Sequence, residues 1–311
     1  MVSAAFSLLV EQTQAVELLT QAIERDRIAP AYLFAGPDGV GRKLAARLFL
    51  DALLQQRAGH RRRQLQDNHP DILWVEPTYQ HQGKAVSAAA LAEKGVALPK
   101  GRPQVRLEQI RDIARFLSQA PLESSRLLVV VEGAQTMGEA AANGLLKTLE
   151  EPGNGTLILI APTLESLLPT IVSRCQRVPF YGLSAAGLAT VLERLGLAAL
   201  LGDGPILAMA QGSPGRATQY WEKLQTIPAE VLERFQLPPQ AAKDCLELAR
   251  HVDKALDLET QLWLLDYLQQ RYWAMGRAIA LKPLEQAKTY LTQYVQPQLV
   301  WEVTLLQLAN P

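Results

Sequence analysis

Apolar positions in the first part of the chain follow two rhythms. Short unbroken runs stand at Ala31–Ala35, Leu127–Val131 and Thr156–Ala161, and weaker ones at Asp71–Val75 and Val178–Tyr181. Unbroken β-branched and leucine runs of this length predict strands buried on both faces. Between them the spacing changes to three and four. Residues 12–27 place Ala15, Leu18, Leu19 and Ile23 on one side, and Leu44, Leu48, Leu50 and Leu54 mark a second helix over residues 42–56. Helices are also predicted over residues 106–118 and 138–151, the latter stopping before Pro152-Gly153. Strands alternating with helices predict a parallel sheet covered on both faces. Residues 77–104 have no clean period and read as a surface insertion, helical in part near Val86–Glu93.

After Tyr181 the strand rhythm ends. Residues 184–224 hold short helical segments broken at Gly202-Asp203-Gly204 and Gly212-Ser213-Pro214-Gly215. Longer helices follow. Their predicted inner stripes are Ala242, Cys245, Leu246, Ala249, Val252 and Leu256, then Leu262, Leu265 and Leu268, then Leu299, Val303 and Leu306. The division expected is 1–180, 181–224 and 225–311.

Composition narrows the function classes. The 311 residues are 48% hydrophobic, enough for two or three cores, and 31 basic residues balance 31 acidic ones. No global positive field argues for independent, tight binding to nucleic acid. Cys175 and Cys245 are the only cysteines, too few for a disulfide framework or a four-cysteine zinc site, and they fit a reducing cytosol. Neither a secretory leader nor a membrane span is expected. The interval 51–70 carries Arg57, His60, Arg61, Arg62, Arg63 and His69, its arginine cluster reading as a solvated loop before a phosphate contact. Arg111 and Arg115 share a helix face, read as solvent-exposed before any phosphate contact.

The first strand runs into Gly36-Pro37-Asp38-Gly39-Val40-Gly41-Arg42-Lys43. A phosphate loop of the form G-x-x-x-x-G-K-S/T wraps phosphates in backbone N–H groups, reaches them with the lysine and holds magnesium on the hydroxyl. Here Gly36 and Gly41 keep the frame, with Gly39 between them. Arg42 stands for the lysine and Lys43 for the hydroxyl. An ammonium has no lone pair for a metal. The strand 127–131 ends in Glu132-Gly133, so the residue that would orient water has no side chain. Ala161-Pro162 ends the next strand, and Thr163 is the nearest hydroxyl. The glycine frame leaves weak ATP or ADP binding open. A plain strand-to-helix turn is the alternative.

Further on stand Leu145-Leu146-Lys147-Thr148-Leu149-Glu150-Glu151-Pro152 and, one strand later, Ser173-Arg174-Cys175. With the loop and Leu9-Val10-Glu11-Gln12 ahead of the first helix, these resemble the bacterial clamp-loader subunits of the AAA+ class. The resemblance implies an α/β AAA+ domain, a small helical lid and an all-α collar. It implies that Arg174 reaches a neighbouring subunit's nucleotide, a surface ion pair being the alternative, that Ser173 sets the turn, and that Cys175 packs at the interface. Arg216 is similar to a second sensor arginine; a helix-surface arginine is the alternative. With the site altered at Arg42, Lys43 and Gly133, no catalysis by this chain and no required cofactor are expected, and no zinc, since the family's four-cysteine module is missing. The partners implied are gamma/tau and delta subunits, the beta sliding clamp through the complex, and primer-template DNA held weakly and without sequence preference. A hetero-oligomer in the cytoplasm follows. The rivals are an ATP-hydrolysing subunit and an inert ring scaffold.

Overall fold

The computed structural model describes residues 5–55, 69–99, 101–235 and 241–309. No helix among them is long and apolar enough to cross a membrane. The chain divides into two compact units, Met1–Gly182 and Leu183–Pro311.

The first unit is built on a five-stranded parallel sheet. Its strands are β1 (Ala31–Ala35), β2 (Ile72–Val75), β5 (Leu127–Val131), β6 (Gly155–Ala161) and β7 (Gln176–Pro179), in the order β2-β5-β6-β1-β7. Register runs Ala35↔Ala161 on one side of β1 and Ala35↔Pro179 on the other. The carboxyl ends of β1, β6 and β7 are therefore flush. Every residue of β1, β5 and β6 is buried. Alternation decides which layer each residue meets. Leu33, Val129 and Leu159 join Ile113, Leu145, Leu149 and Ile171 in one core. On the opposite face Tyr32 packs edge-on to Phe49, ring centroids 5.2 Å apart.

In this unit three expectations are corrected. The last strand begins two residues earlier than Val178, because the β7 pairing starts at Tyr32↔Gln176. Residues 77–104 contain an antiparallel hairpin, β3 (Thr78–His81) with β4 (Lys84–Ser87), followed by the helix Ala88–Glu93. Its Gln82-Gly83 turn lies at positive φ on both residues, the geometry of a two-residue hairpin loop. The helix Arg42–Gln55 turns Ala45, Ala46, Phe49, Leu50 and Leu53 inward, and of the predicted stripe only Leu50 is buried. The cluster Arg57–Arg63 lies outside the described residues.

The second unit is helical. Helix Ala242–Ala255 packs on Pro297–Ala309, and Leu258–Ala274 packs on Gly204–Ala210 and Leu281–Thr292. The last helix is apolar on nearly every side, and its predicted stripe faces the wrong way. Leu299 and Val303 are exposed, whereas Val300, Trp301, Thr304 and Leu305 are buried. The Trp301 indole donates to Gln261 Oε1 at 2.9 Å, and the Gln261 amide donates to the Leu256 carbonyl at 2.9 Å. That buried chain of polar groups selects the face.

Candidate functional site

The carboxyl ends of parallel strands leave backbone groups and loop side chains facing one crevice, the usual place for a ligand in an open α/β sheet. Gly36 leaves β1 there. A Cβ at Gly36 would lie 2.3 Å from the Phe180 carbonyl oxygen, so only glycine fits beside the end of β7. Gly39 and Gly41 make the bend that follows, with φ of 78° and 107°. Gln12, buried ahead of the first helix, clamps this corner. Its amide nitrogen donates to the Tyr181 carbonyl at 2.7 Å and to the Val40 carbonyl at 3.4 Å, and its oxygen accepts from the Tyr181 N–H at 3.1 Å. Sequence reasoning placed Gln12 only at a helix entry. A buried amide next to the loop, three contacts deep, is a role only the fold reveals.

Arg42 turns inward, whereas Lys43 stays partly in solvent beside the strand ends. Arg42, 7% exposed, donates to the Asp38 carboxylate one helical turn earlier. Lys43 Nζ lies 2.6 Å from Glu132 Oε1 and 3.0 Å from Glu76 Oε1, and 5.7 Å from the centre of the Trp74 ring. The Trp74 indole N–H donates to the same Glu132 oxygen. Burial pulls the Lys43 ammonium down, but the carboxylates of Glu132 and Glu76 outweigh it and hold its pKa above the ordinary lysine value. The ammonium thus occupies the ground between loop and strand end that a divalent cation would need. This donor set does not fit a magnesium nucleotide.

Gly133 follows Glu132 at φ 58°, and a Cβ there would lie 2.7 Å from Pro77 Cγ. Both the left-handed backbone and the proline ring exclude a larger residue. At the end of β6, Ala161 is buried and its carbonyl accepts from the Gly36 N–H at 3.3 Å. Its methyl side chain cannot contact a phosphate by hydrogen bond.

Ser173, Arg174 and Cys175 link the short helix Pro169–Val172 to β7. Arg174 is exposed. Its guanidinium donates to the Thr170 carbonyl at 3.0 Å and to Glu150 Oε1 at 2.7 Å. Ser173 Oγ donates to the same Thr170 carbonyl at 3.1 Å, so the hydroxyl closes the turn. Burial pushes the Cys175 thiol up to about 12, so it stays protonated near neutral pH, packed against the sheet core. Lys147 and Glu150 are exposed on the preceding helix. Arg111 and Arg115 are exposed, and Arg115 pairs with Asp112 at 3.1 Å. Arg216 lies in the second unit, on the first turn of the helix Pro214–Thr226, where its N–H donates to the buried Ser213 hydroxyl at 3.2 Å.

A family profile described as "DNA polymerase III, delta subunit" matches residues 11–184. A second, described as "Cyanobacterial DNA polymerase III delta prime, C-terminal domain", matches residues 186–308. The chain belongs to the DNA polymerase III delta-prime family. It is 33% identical over 178 residues to the DNA polymerase III subunit delta' of Bacillus subtilis, covering 54% of this chain and 47% of that one. It is 36% identical over 215 residues to the delta' subunit of Pseudomonas aeruginosa, covering 63% and 57%. The chain spans about half the length of the curated relatives it matches. A solved structure of a DNA polymerase III gamma subunit-related protein from Thermotoga maritima overlays with a TM-score of 0.55 at 18% identity, over 94% of this chain and 97% of that chain. That likeness places the fold in the α/β AAA+ class, with a helical C-terminal region following in the chain. In this chain Arg42 and Lys43 follow Gly41 in the loop after β1, and Gly133 follows Glu132 at the end of β5.

Proposed function

We propose that this chain is a clamp-loader subunit that hydrolyses no ATP itself and lends Arg174 to the nucleotide of a neighbouring subunit. The observation that carries the reading is a pairing of opposites on one unit. An arginine stands exposed at the entry to β7, while the loop at the end of β1 holds an ammonium where a metal belongs. A guanidinium placed against a transferring phosphoryl group neutralises charge developing on its oxygens. Such fingers contribute roughly 10³ to 10⁵ in rate in well-measured GTPases.

The partners on this reading are gamma/tau and delta subunits, which bind the ATP, with the beta clamp and primer-template DNA met through the assembled ring. Residues 181–224 act as the lid and 225–311 as the collar. Large exposed apolar side chains in the second unit, Trp273, Ile279, Tyr294 and Leu299 among them, support a surface that other subunits cover. The subunit works in the cytoplasm and needs no cofactor.

The pair Arg174–Glu150 favours a second reading, an inert scaffold in which the arginine only ties β7 to the helix Glu139–Glu150. Arg174→Ala in a complex reconstituted with gamma/tau and delta subunits separates the two. On the first reading, assembly by size-exclusion chromatography is unchanged and clamp-stimulated ATPase falls at least about ten-fold. An intact complex with the parental ATPase rate leaves only the scaffold.

A further inference from the structure

The loop's misfit to a magnesium nucleotide has a specific form. Arg42 occupies the position of the phosphate-binding lysine, and it is buried on an acceptor supplied four residues earlier by its own loop. Carboxylate and phosphate oxygens make the same charge-assisted contact with a guanidinium, and they compete for it. Lys43 occupies the metal-holding position, and its ammonium bridges two carboxylates, Glu132 at 2.6 Å and Glu76 at 3.0 Å. Glu132 is further held by the Trp74 indole, and the Arg47 guanidinium stacks on that ring at 5.5 Å from its centre. The acid at the strand end is therefore fixed without a metal.

We propose that the loop is a nucleotide site filled by the chain itself, the Asp38 carboxylate taking the place of a phosphate on Arg42 and the Lys43 ammonium taking the place of the divalent cation beside Glu132 and Glu76. The inference deepens the reading of a non-hydrolysing subunit and rests on it. It explains how a loop that keeps its glycine frame remains closed to polyphosphate. A phosphate entering the cradle must displace Asp38, whose charge repels it. A magnesium ion arriving with that phosphate meets a fixed ammonium of like charge.

Asp38 lies largely in solvent, and asparagine keeps its size and an acceptor oxygen beside Arg42. The test is titration of the full-length chain with fluorescent N-methylanthraniloyl ATP and ADP, each in magnesium and in EDTA. Parental protein, Asp38→Asn, Lys43→Thr and the double variant are compared. The parental chain is expected to bind with Kd no tighter than about 1 mM, with or without magnesium. Asp38→Asn is expected to tighten binding about ten-fold in either buffer, because it frees the guanidinium. The double variant is expected to bind tighter again, by about ten-fold, in magnesium alone. Parental binding of magnesium ATP in the micromolar range overturns the proposal. So does a folded double variant, by circular dichroism and melting, that binds no better than the parent. Should the double variant fail to fold, Asp38→Asn alone decides, and an unchanged affinity overturns the proposal. Arg174 has no part in this assay, so failure here leaves its role in the complex standing. Equally, loss of the Arg174 effect leaves the filled loop standing.

Discussion

Asp71 shows most directly how one side chain organises its surroundings. It is fully buried, and its carboxylate accepts from three successive backbone N–H groups, Leu122 at 2.6 Å, Glu123 at 2.8 Å and Ser124 at 2.6 Å. Burial pushes its pKa up. Donation from Leu122, Ser124 and Glu123 outweighs that and holds the carboxyl below the ordinary aspartate value. Because the folded pKa is the lower one, its stabilisation is full above the unfolded value of about 3.9 and is lost as pH falls through the folded value. Asp71→Asn should cost about 1–3 kcal/mol at pH 7, since an amide cannot satisfy the same three donors. The cost should shrink as pH drops below about 4, read by urea denaturation at both pH values. A cost that is the same at both would refute the clamp. At this scale the sequence marked Asp71 only as the start of a strand. The segment it holds lies some fifty residues further on, a distance no local pattern spans.

Elements were the most legible level. The runs Ala31–Ala35 and Leu127–Val131 form strands over the residues their apolar pattern marks, because a strand buried on both faces needs every position apolar. The helix faces were less legible. In the helix Pro297–Ala309 apolar residues occur on nearly all sides, so periodicity alone could not choose between Leu299-Val303 and Trp301-Leu305. The folded unit chose, through the Trp301–Gln261 bond and through the helix Ala242–Ala255, with Cys245 Sγ against the Leu305 carbonyl at 3.7 Å. Leu305→Ala should cost about 2–5 kcal/mol, as a fully buried leucine does, whereas Leu299→Ala should change stability by less than about 0.5 kcal/mol. Equal losses in thermal melts would mean that the faces are misassigned. Gly133 belongs to this scale as well. Its sequence position beside Glu132 marked a missing side chain, but the reason, a positive φ against the Pro77 ring, comes from the loop entering the hairpin Thr78–Ser87.

For the whole molecule the question is what Arg174 meets. Its guanidinium is shared between Glu150 and the Thr170 carbonyl, and both charged side chains are well exposed. An exposed pair is worth about 0.2–1 kcal/mol, so giving up Glu150 for a neighbour costs about that much. Glu150→Gln should therefore leave the melting of the isolated chain nearly unchanged and raise the ATPase of a reconstituted complex by no more than about five-fold. A fall as large as that of Arg174→Ala would instead make Glu150 part of what holds the arginine in its working position.

Local chemistry in the order of residues was enough to establish a parallel α/β domain followed by helices, a glycine loop lacking its hydroxyl, and an arginine between helix and strand. Each depends on neighbours a few positions away, through strand alternation, helix spacing or the identity of a ligating atom. The pairing of Lys43 with Glu76 and Glu132, the Gln12 clamp on Val40 and Tyr181, and the inward face of the last helix needed the folded chain. Those contacts join segments dozens of residues apart, and the groups meet only once the sheet and helices have closed.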